Sequence, residues 1–128
     1  MIIDSHVHYA HRKFDAEFKL VKSENDELEI IKFDRKKLIS DLRYNGIVRV
    51  IEPSIDFDGI EKQLDLVSEN KDFMYAAIGV HPTRCARTLW KNRKQLKAYT
   101  ERENVIAIGE TGLDYHHKRK EQRRFLLK

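Results

Sequence analysis

His6 and His8 stand two residues apart in Met1-Ile-Ile-Asp-Ser-His-Val-His8, the stretch of this chain with the clearest capacity for chemistry. Ile2, Ile3 and Val7 favour an extended backbone, on which successive side chains alternate between faces. Asp4, His6 and His8 therefore project together, and Ile3, Ser5 and Val7 project oppositely. At a rise of about 3.3 Å per residue the two histidine Cα atoms lie roughly 6.6 Å apart, so both imidazoles can lean onto one ion at a Zn–N distance of about 2.0 to 2.1 Å. Such a strand end is a metal site in want of further ligands. Its plain alternative is a pair of surface histidines near the chain terminus.

Two further polar residues close apolar runs. Val105-Ile-Ala-Ile-Gly-Glu110 ends in a carboxylate in phase with Ile106 and Ile108, where an unpaired charge is costly to desolvate. A cation would meet that cost, and so would an ordinary ion pair with one of the many lysines or arginines. His81 follows Phe73-Met-Tyr-Ala-Ala-Ile-Gly-Val80, and Pro82 behind it biases the histidine toward an extended conformation. Its imidazole can donate to an anionic oxygen such as that of a phosphate, or be a satisfied histidine at a strand terminus. Asp114, two residues after Gly112, can orient a ligand of the site from behind it or cap the turn into the final helix.

The elements that must position these groups follow from patterning. After the first strand, Phe18 to Phe33 alternates apolar and charged residues around Ser23-Glu-Asn-Asp26, which predicts a small hairpin. Asp34 can cap a helix over about Arg35 to Asn45, with Leu38, Ile39 and Leu42 on one face and Gly46 as its left-handed stop. Ile47 to Ile51 reads as a strand ended by Pro53. Asp56 or Asp58 can start a second helix, whose Ile60, Leu64 and Val67 recur at helical spacing up to about Asn70. Phe73 to Val80 is an apolar run expected of a covered parallel strand. A third helix over roughly Leu89 to Arg102 turns Leu89, Leu96 and Tyr99 inward, Val105 to Glu110 forms the next strand, and a last helix begins near Lys118 and continues to Lys128. The alternation gives four βα units in a parallel α/β sheet, with the hairpin inserted into the first. No internal repeat or linker divides the chain, which reads as a single domain over 1–128. The polar clusters all fall at carboxyl ends of strands, the edge where parallel α/β proteins collect their ligands.

The totals bound the class. A chain of 128 residues, 41% hydrophobic and 36% charged, is long enough for a core and rich in solvated helix surface. No apolar run approaches the roughly 20 residues of a membrane span, and no secretory signal is visible, so a cytoplasmic location is the expectation. Cys85, the single cysteine, permits no intrachain disulfide and reads as a bystander thiol. Lys plus Arg at 25 against Asp plus Glu at 21 gives +4, a mild basic bias compatible with polyanionic substrates. Lys118 to Arg124, after His116 and His117, reads as a solvated helix face rather than a nucleic-acid patch. Trp90, Tyr99 and Phe125 read as packing residues.

Taken together, Ile3-Asp-Ser-His-Val-His8, Gly79-Val-His-Pro82 and Ile106-Ala-Ile-Gly-Glu-Thr-Gly-Leu-Asp-Tyr115, followed by Gln122-Arg123, resemble the TatD family of metal-dependent hydrolases. The resemblance covers nearly the whole chain apart from the hairpin insertion. It implies a partial TIM-type barrel of the amidohydrolase kind, about four strands of the eight. It also implies one or two divalent ions (Zn, Mg or Mn) and hydrolysis of phosphodiesters such as DNA, commonly as a deoxyribonuclease. By that likeness His6 and His8 bind the first metal, Glu110 ligates or bridges metals, and His81 contacts the substrate phosphate. Asp4 and Asp114 are expected to support these groups from behind, with turn-capping the alternative for Asp114. The family's later strands supply two more histidines and an aspartate that handles the attacking water's proton, and these 128 residues contain no counterpart. A fragment or a truncated product is therefore expected, with weak metal binding and little turnover if this is the whole molecule. Its outer strands would be unpaired and apolar, inviting self-association or completion by a partner. A PHP-type phosphoesterase also opens with D-x-H-x-H, but Gly79 to Pro82 and Gly109 to Tyr115 argue against it. A D-aminoacyl-tRNA deacylase and a non-catalytic remnant stand as further alternatives.

Overall fold

The structure, a computed structural model, describes residues 1–15, 18–22, 25, 27–32, 34–85, 92–117, 120, 122 and 123. Four parallel strands form one sheet: β1 (Ile2–Asp4), β4 (Ile47–Pro53), β5 (Met74–Ala77) and β6 (Val105–Ala107), in the order β1-β4-β5-β6. The inserted hairpin pairs β2 (Phe18–Lys22) with β3 (Leu28–Lys32) antiparallel, Phe18 opposite Lys32. Its turn residues Ser23, Glu24 and Asp26 lie outside the described residues.

Helix α1 (Arg35–Tyr44) starts where its cap dictates: Asp34 accepts from the Lys36 and Lys37 amides at 2.8 and 3.2 Å. It ends before Gly46, whose φ of +87° is the left-handed backbone expected of a helix stop. Helix α2 (Ile60–Glu69) buries Ile60, Leu64 and Val67 as their spacing predicts. It begins later than expected, because Asp56 caps a 3-10 turn over Phe57–Gly59 through the Gly59 amide at 3.0 Å. Helix α3 covers Arg93–Thr100, with Tyr99 buried and its hydroxyl donating to Glu61 of α2 at 2.7 Å. Leu89, Trp90 and Phe125, expected to pack inward, lie outside the described residues. So does most of the last helix, of which Lys120, Gln122 and Arg123 are helical.

The core lies between the helices and the middle of the sheet, where Val50, Ile60, Val67, Phe73 and Met74 are at most 1% exposed. Each such side chain contributes about 1.5–3 kcal/mol by leaving water. The outer strands differ. Ile2 and Ile3 of β1, Ile106 of β6 and Ile108 just past it are 55–66% exposed, so the apolar face predicted to end in Glu110 is uncovered. No helix among the described residues is long and apolar enough to cross a membrane.

Candidate metal centre

The three strands that approach the centre end earlier than patterning suggests. β1 stops at Asp4, so His6 and His8 sit on the segment beyond it, held to β4 by the Val7 amide donating to the Ile51 carbonyl at 3.1 Å. β5 stops at Ala77 and β6 at Ala107, short of His81 and Glu110. The reason is visible in Ser54, just past Pro53. Its Oγ donates to the Gly79 carbonyl at 2.6 Å, accepts the Gly79 amide at 2.7 Å and lies 3.3 Å from the Gly109 carbonyl. Its own carbonyl accepts the Glu110 amide at 3.2 Å. One buried serine therefore ties the segments past β5 and β6 to β4, beside the backbone bonds from Ile78 to Ala107 and from Gly109 to Ile78. Gly79 permits the approach: a Cβ there would stand 2.7 Å from the Glu110 carbonyl oxygen and 2.8 Å from the Gly109 carbonyl carbon.

This stitching aims three side chains at one point. His6 Nε2 stands 2.6 Å from Glu110 Oε1, His8 Nε2 3.6 Å from the same oxygen, and the two Nε2 atoms 3.0 Å from each other. One ligand atom from each residue lies within 4.8 Å of the others. Tetrahedral donors at about 2.0–2.1 Å from a zinc ion are separated by roughly 3.3 Å, so the set fits a divalent cation in both spacing and chemistry. Asp4 Oδ1 accepts the His6 amide at 3.2 Å.

Burial holds the His8 imidazole below its usual 6.5, opposed by Glu110 and reinforced by His6, which favours the neutral ring a metal requires. The Pro53 backbone also opposes this lowering.

His81 stands on the other side of Glu110, Nε2 to Oε2 at 3.4 Å. The Thr83 amide donates to His81 Nδ1 at 3.2 Å, and the Thr83 hydroxyl lies 2.8 Å from the same atom. With Nδ1 engaged as an acceptor, the neutral ring carries its proton on Nε2 and offers a donor to an anionic oxygen. Asp114 is engaged locally: its carboxylate meets the His116 amide at 2.8 Å and His117 Nδ1 at 2.7 Å, the turn-capping geometry. Its amide donates to Gln122 at 2.7 Å. Cys85 is buried, its thiol 3.0 Å from the Pro82 carbonyl.

Sequence reasoning missed Ser54, Thr83 and Glu52. The available signals were a hydroxyl directly behind a strand-ending proline, a threonine two residues after a histidine, and a lone carboxylate in the apolar strand Ile47–Pro53.

The family model described as TatD related DNase matches residues 3–127. The chain belongs to the TatD family. It is 28% identical over 116 residues to a protein of Bacillus subtilis named uncharacterized metal-dependent hydrolase YabD, covering 91% of this chain and 38% of that protein. It is also 28% identical over 83 residues to a 3'-5' ssDNA/RNA exonuclease TatD of Pantoea ananatis, covering 65% of this chain and 32% of the other. The chain thus spans about a third of the length of these curated TatD relatives. In three dimensions it is similar to a TatD family hydrolase of Entamoeba histolytica, with a TM-score of 0.74 at 20% identity, over 98% of this chain and 44% of that one. The parallel sheet and its helices are accordingly part of the TatD barrel.

Proposed function

We propose that the chain forms the metal-holding part of a hydrolase acting on phosphodiester bonds, with nucleic acid, DNA above all, as its substrate. The observation that carries this reading is the convergence of His6, His8 and Glu110 within 4.8 Å, supported by the TatD family match. His6 and His8 hold the ion through Nε2, and Glu110 contributes its carboxylate. A divalent cation bound there would polarise a phosphoryl oxygen as a Lewis acid. His81, its proton on Nε2 and that atom 3.4 Å from Glu110, is placed to donate to a phosphate oxygen bound beside the carboxylate. Asp4 fixes the backbone of His6 through its amide. A cytoplasmic location accompanies the reading, where a thiol such as Cys85 stays reduced.

Calorimetry with Zn²⁺ and Mn²⁺ tests the first part: uptake by the wild-type chain is expected, lost in His6→Ala, His8→Ala and Glu110→Ala. A wild-type chain that takes up neither ion overturns the reading. Incubation of the loaded chain with a labelled single-stranded oligonucleotide and, separately, an aminoacyl-tRNA then distinguishes a nuclease from a deacylase by its products.

A second reading concerns assembly. The exposed Ile2, Ile3, Ile106 and Ile108 mark two open edges of a parallel sheet, a sheet type ordinarily covered on both faces. Further parallel strands seated on those edges, whether from a longer chain or a second copy, would complete the barrel and bring more donors to the centre.

A further inference from the structure

Glu52 is the lone carboxylate of β4 and only 2% exposed, and it lies beneath the segment that follows His8. Its Oε1 accepts the Ala10 amide at 2.6 Å. From the opposite side the Arg35 Nε donates to the Tyr9 carbonyl at 2.9 Å. Gln63 of α2, equally buried, donates its amide nitrogen to the Glu52 carbonyl. A continuous polar chain therefore runs from α2 through β4 to Ala10, two residues after His8.

Glu52 Oε2 and Gln63 Oε1 are the buried side-chain atoms without a hydrogen-bond partner among the described residues. Both residues border a cavity of about 440 Å³ that His8, Ala10 and Arg84 also line. The two oxygens are sealed from solvent, so a molecule in the cavity does not reach them without displacing the wall. Desolvation pushes Glu52 up to about 7 against the pull of the Ala10 and Tyr9 amides, so the neutral acid with a donor on Oε2 is readily formed.

We propose that Glu52 is a positioning residue for His8: by clamping the Ala10 amide from within the sheet it sets where the His8 imidazole stands relative to Glu110. The proposal rests on the metal-holding role of His8 given above. It separates two tasks in the carboxylates of this region, Glu110 meeting the ion and Glu52 meeting only the backbone behind a ligand.

The test pairs Zn²⁺ calorimetry with hydrogen exchange of the Ala10 amide in the metal-free chain. Glu52→Gln retains an acceptor for the Ala10 amide and places a donor where the acid has its proton, so an affinity within about threefold of wild type and a protected Ala10 amide are expected. Glu52→Leu fills similar volume without an acceptor, so a loss of affinity of about 10- to 100-fold and fast exchange at Ala10 are expected. If Glu52→Leu does not fold, Glu52→Asp takes its place with the same expectation, since its carboxylate falls one methylene short of the amide. Wild-type affinity in Glu52→Leu or Glu52→Asp overturns the proposal, and so does an equal loss in Glu52→Gln. A wild-type chain that binds no Zn²⁺ while Ala10 exchange still follows the expected pattern sinks the metal-holding reading and leaves the clamp on the backbone standing.

Discussion

His6 Nε2 stands 2.6 Å from Glu110 Oε1, although the two residues follow β1 and β6, the outer strands of the sheet. Four strands spaced about 4.8 Å apart put those edges roughly 14 Å from each other, so the segments past the strands close the gap. A cation at this point would staple the first strand to the last. Zn²⁺ at a free concentration a hundredfold above its Kd is expected to stabilise the fold by about 2.7 kcal/mol, a rise of several degrees in Tm. Thermal melting with Zn²⁺ and with chelator checks it, with Glu110→Ala as the control that shows no rise. An unchanged Tm in the wild-type chain would count against the staple.

Gly79→Ala is expected to damage the fold and the centre together. The added methyl meets the backbone of Gly109 and Glu110 below 3.0 Å, where no flexible side chain can give way. A cost of about 1–3 kcal/mol in urea denaturation is expected, with loss of Zn²⁺ uptake because Glu110 is pushed out of line. A variant of wild-type stability and affinity would show that the strand ends are loosely set.

Glu52 makes stability depend on pH. Its folded-state value is raised from 4.5 to about 7, so its contribution is fully present below about 4.5 and is lost as pH rises through 7. That loss amounts to about 3 kcal/mol. His8, held below 6.5, acts with the opposite sign: its contribution is present above 6.5 and lost as pH falls. Comparing the metal-free wild-type chain with Glu52→Gln isolates the glutamate. Urea melts at pH 5 and pH 8 should show the wild type losing ground to the variant as pH rises, and parallel curves would refute the assignment.

The apolar edges predict association. We expect the chain to form larger species with rising concentration, and Ile3→Lys combined with Ile106→Lys to reduce them, because lysine on an open edge opposes strand addition. Light scattering across a concentration series decides this; a wild-type monomer throughout would dismiss it.

Local chemistry made much of this legible from the residues alone. Asp34 and Gly46 bound the first helix by capping rules, the spacing of Ile60, Leu64 and Val67 identified the buried face of the second, and His6-x-His8 pairs two imidazoles over a distance that backbone geometry already sets. The polar residues His81 and Glu110 at the ends of apolar runs were visible as candidates for the same reason. Which of these side chains meet depends on strand order and on hydrogen bonds between residues 25 to 55 positions apart, such as those of Ser54, and no local pattern encodes them. The same holds for the Glu52 clamp, formed across 42 residues, and for the exposure of Ile106 and Ile108, which depends on what packs over β6. Tertiary structure decided the centre because three-dimensional proximity, not residue type, determines which donors can share an ion.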